Sequence, residues 1–331
     1  MKEALYYEKS KEKVQCHLCP HNCVIAKGKR GNCGVRENKE NKLYSLVYGK
    51  ACSATIDPIE KKPLYHFIPG HGSFSMATVG CNLHCSHCQN WEISQPEAII
   101  GQYLAPEEIV RSALAKGCKS IAYTYTEPTV YYEYALETAK LARKKGIKNV
   151  IVSNGFINEE PFKEFCKYLD GANIDLKGFT EEFYKKVCCA KLEPVLNSLK
   201  ILKEKNVWLE TTNLIIPTLN DDLKRIGEMC KWIKDNLGAD VPLHFSRFFP
   251  YHKLNNVNPT PAETLVKARD IAKKIGINYV YIGNIFIEGA DNTYCPKCGE
   301  LLIERVGFNI LQNNIKNAKC GCSEKIAGVW E

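Results

Sequence analysis

The sequence of 331 residues has no uninterrupted apolar run long enough to cross a bilayer, and residues 1–6 have none of the features of a secretory signal peptide. The first absence excludes a membrane span, and the second argues against a secreted protein. Both change the meaning of the 17 cysteines, which would suggest disulfides in an extracellular chain. We therefore predict a cytoplasmic protein whose thiols are reduced and free to bind metals.

Clustered positive charge is also missing, although the formal net charge is +8. The basic residues are scattered, and in runs such as 140–145 a solvated helix face explains them. Metal-bound cysteines would be thiolates, and their negative charge would offset much of the excess. The charge therefore predicts no nucleic-acid partner, and the chain has no internal repeat or low-complexity tract.

The middle of the chain alternates short apolar runs with amphipathic segments, whereas the cysteine-rich stretches lie near both ends. The predicted strands are 73–80, 119–124, 149–153, 173–176, 207–214, 242–246 and 278–282. The predicted helices are 106–117, 130–146, 194–205, 221–238 and 261–276, which begin near Pro, Asp or Glu and mostly end near Gly.

Regular β-α alternation predicts a parallel sheet covered by helices. A doubly wound open sheet is the alternative, but the candidate chemical residues follow the carboxyl ends of strands, as in barrels. We therefore predict an α/β fold: a partial (β/α) barrel with small Cys-rich metal-binding modules at both ends. The expected boundaries are 1–70 for the N-terminal module, 71–289 for the barrel and 290–331 for a zinc-ribbon-like module.

Three cysteines in one tight loop, Cys81, Cys85 and Cys88, have the spacing C-x3-C-x2-C after the first predicted barrel strand. Small cysteine groups also bind zinc. A cubane iron–sulfur cluster needs thiolates, however, and three of them leave its fourth iron open to a chelating small molecule. The loop resembles that of the radical SAM enzymes, and the chain around it resembles the glycyl-radical-enzyme activases, such as pyruvate formate-lyase activating enzyme, and the AmmeMemoRadiSam-system group. The latter name describes a genomic partnership with two other proteins and specifies no reaction.

The resemblance implies two cofactors, a [4Fe-4S] cluster and S-adenosylmethionine (SAM), whose amino and carboxylate groups chelate the open iron. It also implies a low-potential electron donor, reductive cleavage of SAM to a 5′-deoxyadenosyl radical, and an anaerobic or strongly reducing cell. His87, at a position that is often aromatic in the family, is expected to stack on adenine or donate a hydrogen bond. The resemblance therefore implies a radical enzyme of the oxidoreductase class.

The same resemblance identifies five candidate contacts for SAM: Glu127, Asn154, Asp175, Lys177 and His252. Glu127 follows the second barrel strand and matches the acceptor of the methionine ammonium, although the family's adjacent glycines are missing. Four of the five also have a structural alternative: a helix-terminus charge for Glu127, an ordinary Asn-Gly turn for Asn154 and a salt bridge for Asp175 with Lys177. His244 and Arg247 have no clear counterpart, and a core position is expected for His244.

Two further cysteine groups lie in the terminal modules. Cys295, Cys298, Cys320 and Cys322 resemble a zinc ribbon with a contracted second pair, and the residues between them predict a short hairpin. Cys16, Cys19, Cys23 and Cys33 also have ligand-like spacing, and both zinc and a second Fe-S cluster fit them; His17 or His21 could replace one cysteine. Outside these groups, Cys188 or Cys189 could place one thiol near the barrel mouth.

Three hypotheses follow for the function. In the first, a protein substrate loses a hydrogen atom to the radical, as in glycyl-radical activation or modification of a partner. In the second, the substrate is a small metabolite or a lipid precursor. In the third, the chain is a non-catalytic zinc-binding interaction protein.

Overall fold

The N-terminal region consists of short antiparallel strands in a computed structural model that describes all 331 residues. The strands are β1 (Lys2–Glu3), β2 (Tyr7–Ser10), β3 (Lys13–Cys16), β4 (Val24–Ala26), β5 (Arg36–Lys39), β6 (Lys42–Ser45) and β7 (Lys50–Ala51). The first six form two three-stranded sheets, with orders β1-β6-β5 and β2-β3-β4. The sequence predicted the metal-binding character of this region but none of its strands.

The centre of the molecule is one eight-stranded sheet with the order β16-β15-β14-β13-β12-β11-β9-β8. The strands of this region are β8 (Ser53–Pro58), β9 (Gly72–Ala77), β10 (Gln102–Tyr103), β11 (Ser120–Tyr123), β12 (Lys148–Ser153), β13 (Gly171–Asp175), β14 (Trp208–Ile215), β15 (Leu243–Arg247) and β16 (Val280–Gly283). The short β10 pairs with β7 instead. From β9 to β16 the neighbours are parallel, which confirms the predicted partial (β/α) barrel.

β8 is antiparallel to β9 and extends the sheet at one edge. It lies before the boundary expected at residue 70, so the barrel sheet includes a strand from the segment that the sequence assigned to the N-terminal module. The two outer strands, β8 and β16, are not paired with each other, and the barrel is therefore open along one seam.

Helices cover the sheet between successive strands. They are α1 (Trp91–Ser94), α2 (Pro106–Ala115), α3 (Tyr132–Lys144), α4 (Glu159–Cys166), α5 (Glu181–Phe183), α6 (Glu193–Glu204), α7 (Leu223–Leu237) and α8 (Ala262–Ile275). In α7 the carboxylate of Asp222 caps the first turn by accepting from the Arg225 amide at 2.8 Å, and Gly238 ends the helix. No helix combines the length and the apolar character needed to cross a membrane.

The C-terminal region forms a third small antiparallel sheet from β17 (Thr293–Tyr294), β18 (Leu301–Val306) and β19 (Asn309–Asn313). The hairpin of β18 and β19 corresponds to the strand expected between the two cysteine pairs. A small core that includes Leu302 and Ile303 joins this sheet to Tyr65, Tyr279 and Tyr281 of the barrel. The C-terminal module therefore packs on both sides of the open seam.

A buried polar network joins the strands near this module. Glu210, fully buried on β14, accepts hydrogen bonds from the backbone amides of Tyr65 and His66 at 3.0 and 2.7 Å. It also contacts His244 Nε2 at 2.7 Å and accepts from the Trp208 indole at 3.0 Å. His244 thus has the core position that the sequence predicted, and it does not line the cavity described next.

Candidate functional site

The loop that carries Cys81, Cys85 and Cys88 connects β9 to α1 and lines a cavity of about 310 Å³. The carboxyl ends of parallel strands meet at one edge of the sheet, and the cavity lies at this edge. The residues that line it from successive strand ends are Thr124, Glu127, Ser153, Asn154, Asp175, Lys177, Thr212, Leu214, Ser246 and Asn284. Four of the five predicted SAM contacts therefore converge on the three cysteines.

The three sulfur atoms of this loop are not gathered around a point where one metal ion would lie, since they do not form a group with all ligand atoms within 4.8 Å. A cubane cluster does not need its thiolates so close together, because each thiolate binds a different iron. Burial raises the pKa of Cys81 well above its ordinary value, whereas a hydrogen bond from the Cys188 thiol lowers the pKa of Cys85. Both thiols of the 188–189 pair therefore lie beside this loop: Cys188 next to Cys85, and the Cys189 sulfur 3.9 Å from the His84 carbonyl oxygen.

Glu127 is buried, and its two carboxylate oxygens have different surroundings. Oε1 accepts from the Thr129 amide at 3.0 Å, the Thr129 hydroxyl at 2.7 Å and the Ser153 hydroxyl at 2.8 Å. Oε2 accepts only from the Asn154 amide, at 2.9 Å, and keeps capacity for a further donor. Burial raises the pKa of Glu127, and these hydrogen bonds oppose that effect. The residue caps a short 3-10 helix, as the structural alternative expected, and it also lines the cavity.

Asn154 connects the cavity wall to the cysteine loop. Its Nδ2 donates to Asn82 Oδ1 at 2.9 Å and lies 3.7 Å from the Cys81 sulfur, while its Oδ1 accepts from the Phe156 amide at 2.8 Å. Gly155 follows with φ of +68°, and a Cβ there would lie 3.0 Å from Ile174. The Asn-Gly turn therefore places Asn154 against the cysteine loop. The positive φ that the turn requires lies at the next residue, where glycine adopts it without strain.

Asp175 and Lys177, at and just after the end of β13, point to the same side of the sheet as predicted. Lys177 Nζ lies 2.8 Å from an Asp175 oxygen, and both residues line the cavity. Burial alone lowers the pKa of Lys177, but Asp175 and the neighbouring thiols of Cys85 and Cys188 raise it well above the ordinary value. Asp175 and Lys177 thus form the salt bridge that the sequence suggested as an alternative to SAM binding, and this salt bridge faces the cavity.

His87 lies in the cavity wall, and its Nδ1 is buried without a hydrogen-bond partner. Burial and the charge of Lys177 lower the pKa of His87 to about 3, so its ring is neutral. A buried imidazole nitrogen without a partner costs free energy unless a bound molecule contacts it. This nitrogen is therefore a place where the cavity can recognise a ligand.

His252 has a different position from the other four candidates and does not line the cavity. Its ring stacks on Trp91 with centroids 5.1 Å apart, and the next residue, Lys253, donates its amide to Ser86 O at 3.0 Å. The 252–254 segment thus packs on the cysteine loop, at the rim of the cavity. A contact between His252 and SAM stays a prediction.

Sequence reasoning missed three residues on the β8 side of the cavity: Lys61, Lys62 and Tyr125. Lys62 is buried, pairs with Asp57 at 2.9 Å and lies over the Tyr125 ring at 4.2 Å. Nothing in the sequence of segment 57–62 indicated that β8 joins the barrel sheet. Its antiparallel pairing is what brings this cationic group to the cavity.

The four C-terminal thiols form a tight group, with all sulfurs within 4.8 Å of one another. Cys295 and Cys322 are 3.7 Å apart, and Cys298 and Cys320 are 3.6 Å apart. Tetrahedral coordination of one zinc ion at 2.3 Å separates its sulfurs by about 3.8 Å. The contracted C-x-C spacing therefore still allows all four sulfurs to reach one ion.

The residues around the large cavity fit the cofactors that the sequence implies. The three thiols that line the cavity leave one corner of a cubane without a protein ligand. A carboxylate oxygen with spare capacity, the Asp175–Lys177 pair and the unpartnered His87 nitrogen surround the space where a zwitterionic, nitrogen-rich ligand such as SAM would lie. Their individual contacts with SAM stay predictions.

Comparison with known proteins agrees with this chemistry. The profile of the radical SAM superfamily matches residues 76–233. The chain is 50% identical to an uncharacterised protein of Methanocaldococcus jannaschii, over 98% of this chain and 99% of that one. It is 24% identical to the pyruvate formate-lyase-activating enzyme of Clostridium pasteurianum, over 53% of this chain and 77% of that enzyme.

Among solved structures, a radical SAM methyltransferase from Sphaerobacter thermophilus superposes with a TM-score of 0.51 and 14% identity, over 71% of each chain. This likeness concerns the fold alone. Membership of an enzyme superfamily argues against the hypothesis of a non-catalytic zinc protein. The chain belongs to the radical SAM superfamily and is a radical SAM enzyme similar to the activating enzymes of glycyl-radical enzymes.

Proposed function

We propose that the enzyme cleaves SAM reductively in the 310 Å³ cavity and takes a hydrogen atom from a protein substrate. The observation that carries the proposal is the convergence of Cys81, Cys85 and Cys88 with Glu127 and Lys177 on this single cavity. When bound, the [4Fe-4S] cluster supplies the electron that converts SAM into methionine and a 5′-deoxyadenosyl radical. A low-potential electron donor in a reducing cytoplasm is part of the proposal.

The protein's own residues would hold and orient SAM. Glu127 Oε2 would accept from the methionine ammonium, and Lys177, held by Asp175, would donate to the carboxylate. Asn154 would fix the cysteine loop against the cavity wall, and His87 Nδ1 would contact the adenosyl group. His252, on the rim, would close the site over the bound cofactor.

Exposed aromatic side chains beside the cavity support a protein substrate. Phe249 and Tyr251 follow β15 and are 40% and 43% exposed, while Phe286, two residues after cavity-lining Asn284, is 76% exposed. Trp91, on the segment that follows the cysteine loop, is 37% exposed. Aromatic residues are enriched at protein interfaces, where they supply much of the binding energy. This rim suits docking of a polypeptide segment better than capture of a small metabolite alone.

The function is tested by following the hydrogen atom. Enzyme, SAM and reductant are incubated with an extract of deuterium-grown cells that has been separated by dialysis into macromolecules and small molecules. We expect deuterium in the 5′-deoxyadenosine formed with the macromolecular fraction, and loss of that label after protease treatment. Label from the small-molecule fraction alone would favour a metabolite or lipid precursor, and absence of 5′-deoxyadenosine altogether would reject SAM cleavage.

Glu127→Ala should keep the iron–sulfur cluster and weaken SAM binding by about 1.5–3 kcal/mol, because a charge-assisted hydrogen bond is lost. Equilibrium binding of SAM to the reconstituted protein measures this change. Asp222→Ala, which removes a capping carboxylate from α7 far from the chemistry, is the matched control and should cost only about 1 kcal/mol of stability. Unchanged SAM affinity in Glu127→Ala would return Glu127 to a purely structural capping role.

We also propose that the C-terminal thiols bind one zinc ion. The support is the tetrahedral S₄ spacing of the four sulfurs and the small size of the core around Leu302 and Ile303. A metal would supply the stability that so small a core lacks. This site lies outside the 310 Å³ cavity and would take no direct part in the radical reaction.

A further inference from the structure

The four N-terminal cysteines form a second enclosed site, separate from the large cavity. Cys16 ends β3, Cys19 and Cys23 lie in the loop before β4, and Cys33 precedes β5. All four line one cavity, together with Leu18, Ile25, Gly31, Asn32, Arg36, Asn82, Thr129 and Val130. Folding therefore brings together the four thiols that were grouped by their spacing in the sequence, and it packs them against residues of the barrel.

The spacing of these thiols differs from that of the C-terminal group. No three of the N-terminal sulfurs have mutual distances within 4.8 Å, whereas all four C-terminal sulfurs do. Sulfurs on one zinc ion lie about 3.8 Å apart, as the C-terminal ones nearly do. Sulfurs on a cubane lie farther apart, because each binds its own iron. Like Cys81, Cys85 and Cys88, the N-terminal thiols form no group within this limit.

Polar groups around the N-terminal cavity suit anionic sulfur. The Asn32 amide donates to the Cys23 sulfur at 3.4 Å, and Arg36 Nη1 lies 3.9 Å from the Cys16 sulfur. Arg36 is only 2% exposed, forms an ion pair with Glu133, and its Nε has no partner. A buried guanidinium with a free donor beside four thiols is stabilised when those thiols become metal-bound thiolates.

The site also touches the loop of the barrel cysteines. Gly80 has φ of +105°, and a Cβ there would lie 2.5 Å from Val35 and 3.1 Å from the Cys33 carbonyl oxygen. Asn32 Nδ2 donates to the Asn82 carbonyl at 3.2 Å, and His21 Nε2 contacts the same oxygen at 2.7 Å. Neither His17 nor His21 lines the cavity, so the four cysteines are its candidate ligands.

We propose that Cys16, Cys19, Cys23 and Cys33 hold a second cubane iron–sulfur cluster, with all four irons ligated by the protein, directly beside the barrel loop. The proposal uses only the N-terminal cavity, and it stands whether or not the substrate is a protein. It assigns iron to one terminal module and zinc to the other, on the basis of sulfur spacing within one structure.

The test is a count of metals in protein purified and reconstituted anaerobically. We expect about eight irons, eight sulfides and one zinc per chain. Cys19→Ala with Cys23→Ala should leave about four irons and one zinc, and the electron paramagnetic resonance signal that responds to SAM should persist. The matched control, Cys295→Ser with Cys298→Ser, should lose the zinc and keep about eight irons.

About four irons and two zinc ions in the wild-type protein would overturn the proposal, even if the Cys19 and Cys23 variant failed to fold. Replacement of Cys81, Cys85 and Cys88 by Ala removes the ligands of the barrel cluster and leaves those of the N-terminal cluster in place. It should leave about four irons whose signal ignores SAM. If that variant holds no iron, the N-terminal site is not a cluster, whatever the fate of the barrel site.

Discussion

Replacing Cys81, Cys85 and Cys88 together by alanine should abolish SAM cleavage completely, because these are the only three thiols that line the cavity and a cubane cluster needs thiolate ligands. The expected loss is of all 5′-deoxyadenosine formation and of the electron paramagnetic resonance signal that changes when SAM is added. High-performance chromatography of the reaction and spectra of the reduced protein measure both.

The control for this variant is Cys230→Ala, which removes a fully buried thiol of α7 that lines neither cysteine cavity. It should keep the cluster and the cleavage, at a modest cost in stability from the lost sulfur. Residual SAM cleavage in the triple variant would show that the chemistry does not depend on the Cys81 loop. Zinc at the C-terminal thiols should be the same in both variants.

Glu210→Ala should lower the free energy of unfolding by about 3–5 kcal/mol, because it removes one partner of a buried charged network. The amides of Tyr65 and His66, the Trp208 indole and His244 would lose their shared acceptor. Urea unfolding of wild type and variant measures the difference. Glu228→Ala, which breaks an exposed pair with Arg225, should change stability by no more than about 1 kcal/mol.

The contribution of Glu210 should also depend on pH. Although burial raises the pKa of Glu210, the contact with His244 and the other donors outweighs it and lowers the pKa below the ordinary 4.5. A carboxylate with a depressed pKa stabilises the fold above its unfolded pKa, and this stabilisation is lost as the pH falls through the folded value. The gap between wild type and Glu210→Ala should thus be largest near neutral pH and shrink below pH 4.5. A gap that does not change with pH would contradict the network's ionic character.

The sequence predicted the parallel strands and most helices correctly, because apolar runs and helix-ending glycines are local signals. It also grouped Cys81, Cys85 and Cys88 with Glu127 and Lys177, since each follows a strand end and such ends share one edge of a sheet. These arguments need no knowledge of distant contacts.

What the sequence could not provide depends on long-range pairing. β8 joins the sheet antiparallel to β9, so the approach of Lys62 to the cavity could not be read from its neighbours along the chain. Nor did the sequence indicate that His252 stacks on Trp91 at the rim of the cavity, while its contact with SAM stays a prediction. The difference between the two terminal cysteine groups lies in sulfur distances, which similar C-x2-C spacings do not reveal.

If the C-terminal thiols bind zinc as proposed, the way this module spans the seam between β8 and β16 would link metal supply to the stability of the barrel. Arg305 donates to the Tyr65 carbonyl at 2.8 Å, and the backbones of Ile68 and Val329 are joined by a 2.6 Å hydrogen bond. These contacts tie the chain leading into β9 to the end of the molecule. A metal ion that binds only the folded module therefore raises the unfolding free energy of the whole enzyme by RT ln(1 + [M]/Kd). Metal starvation would then lower the melting temperature of the whole enzyme, including the catalytic domain, which lies away from the thiols proposed to hold the ion.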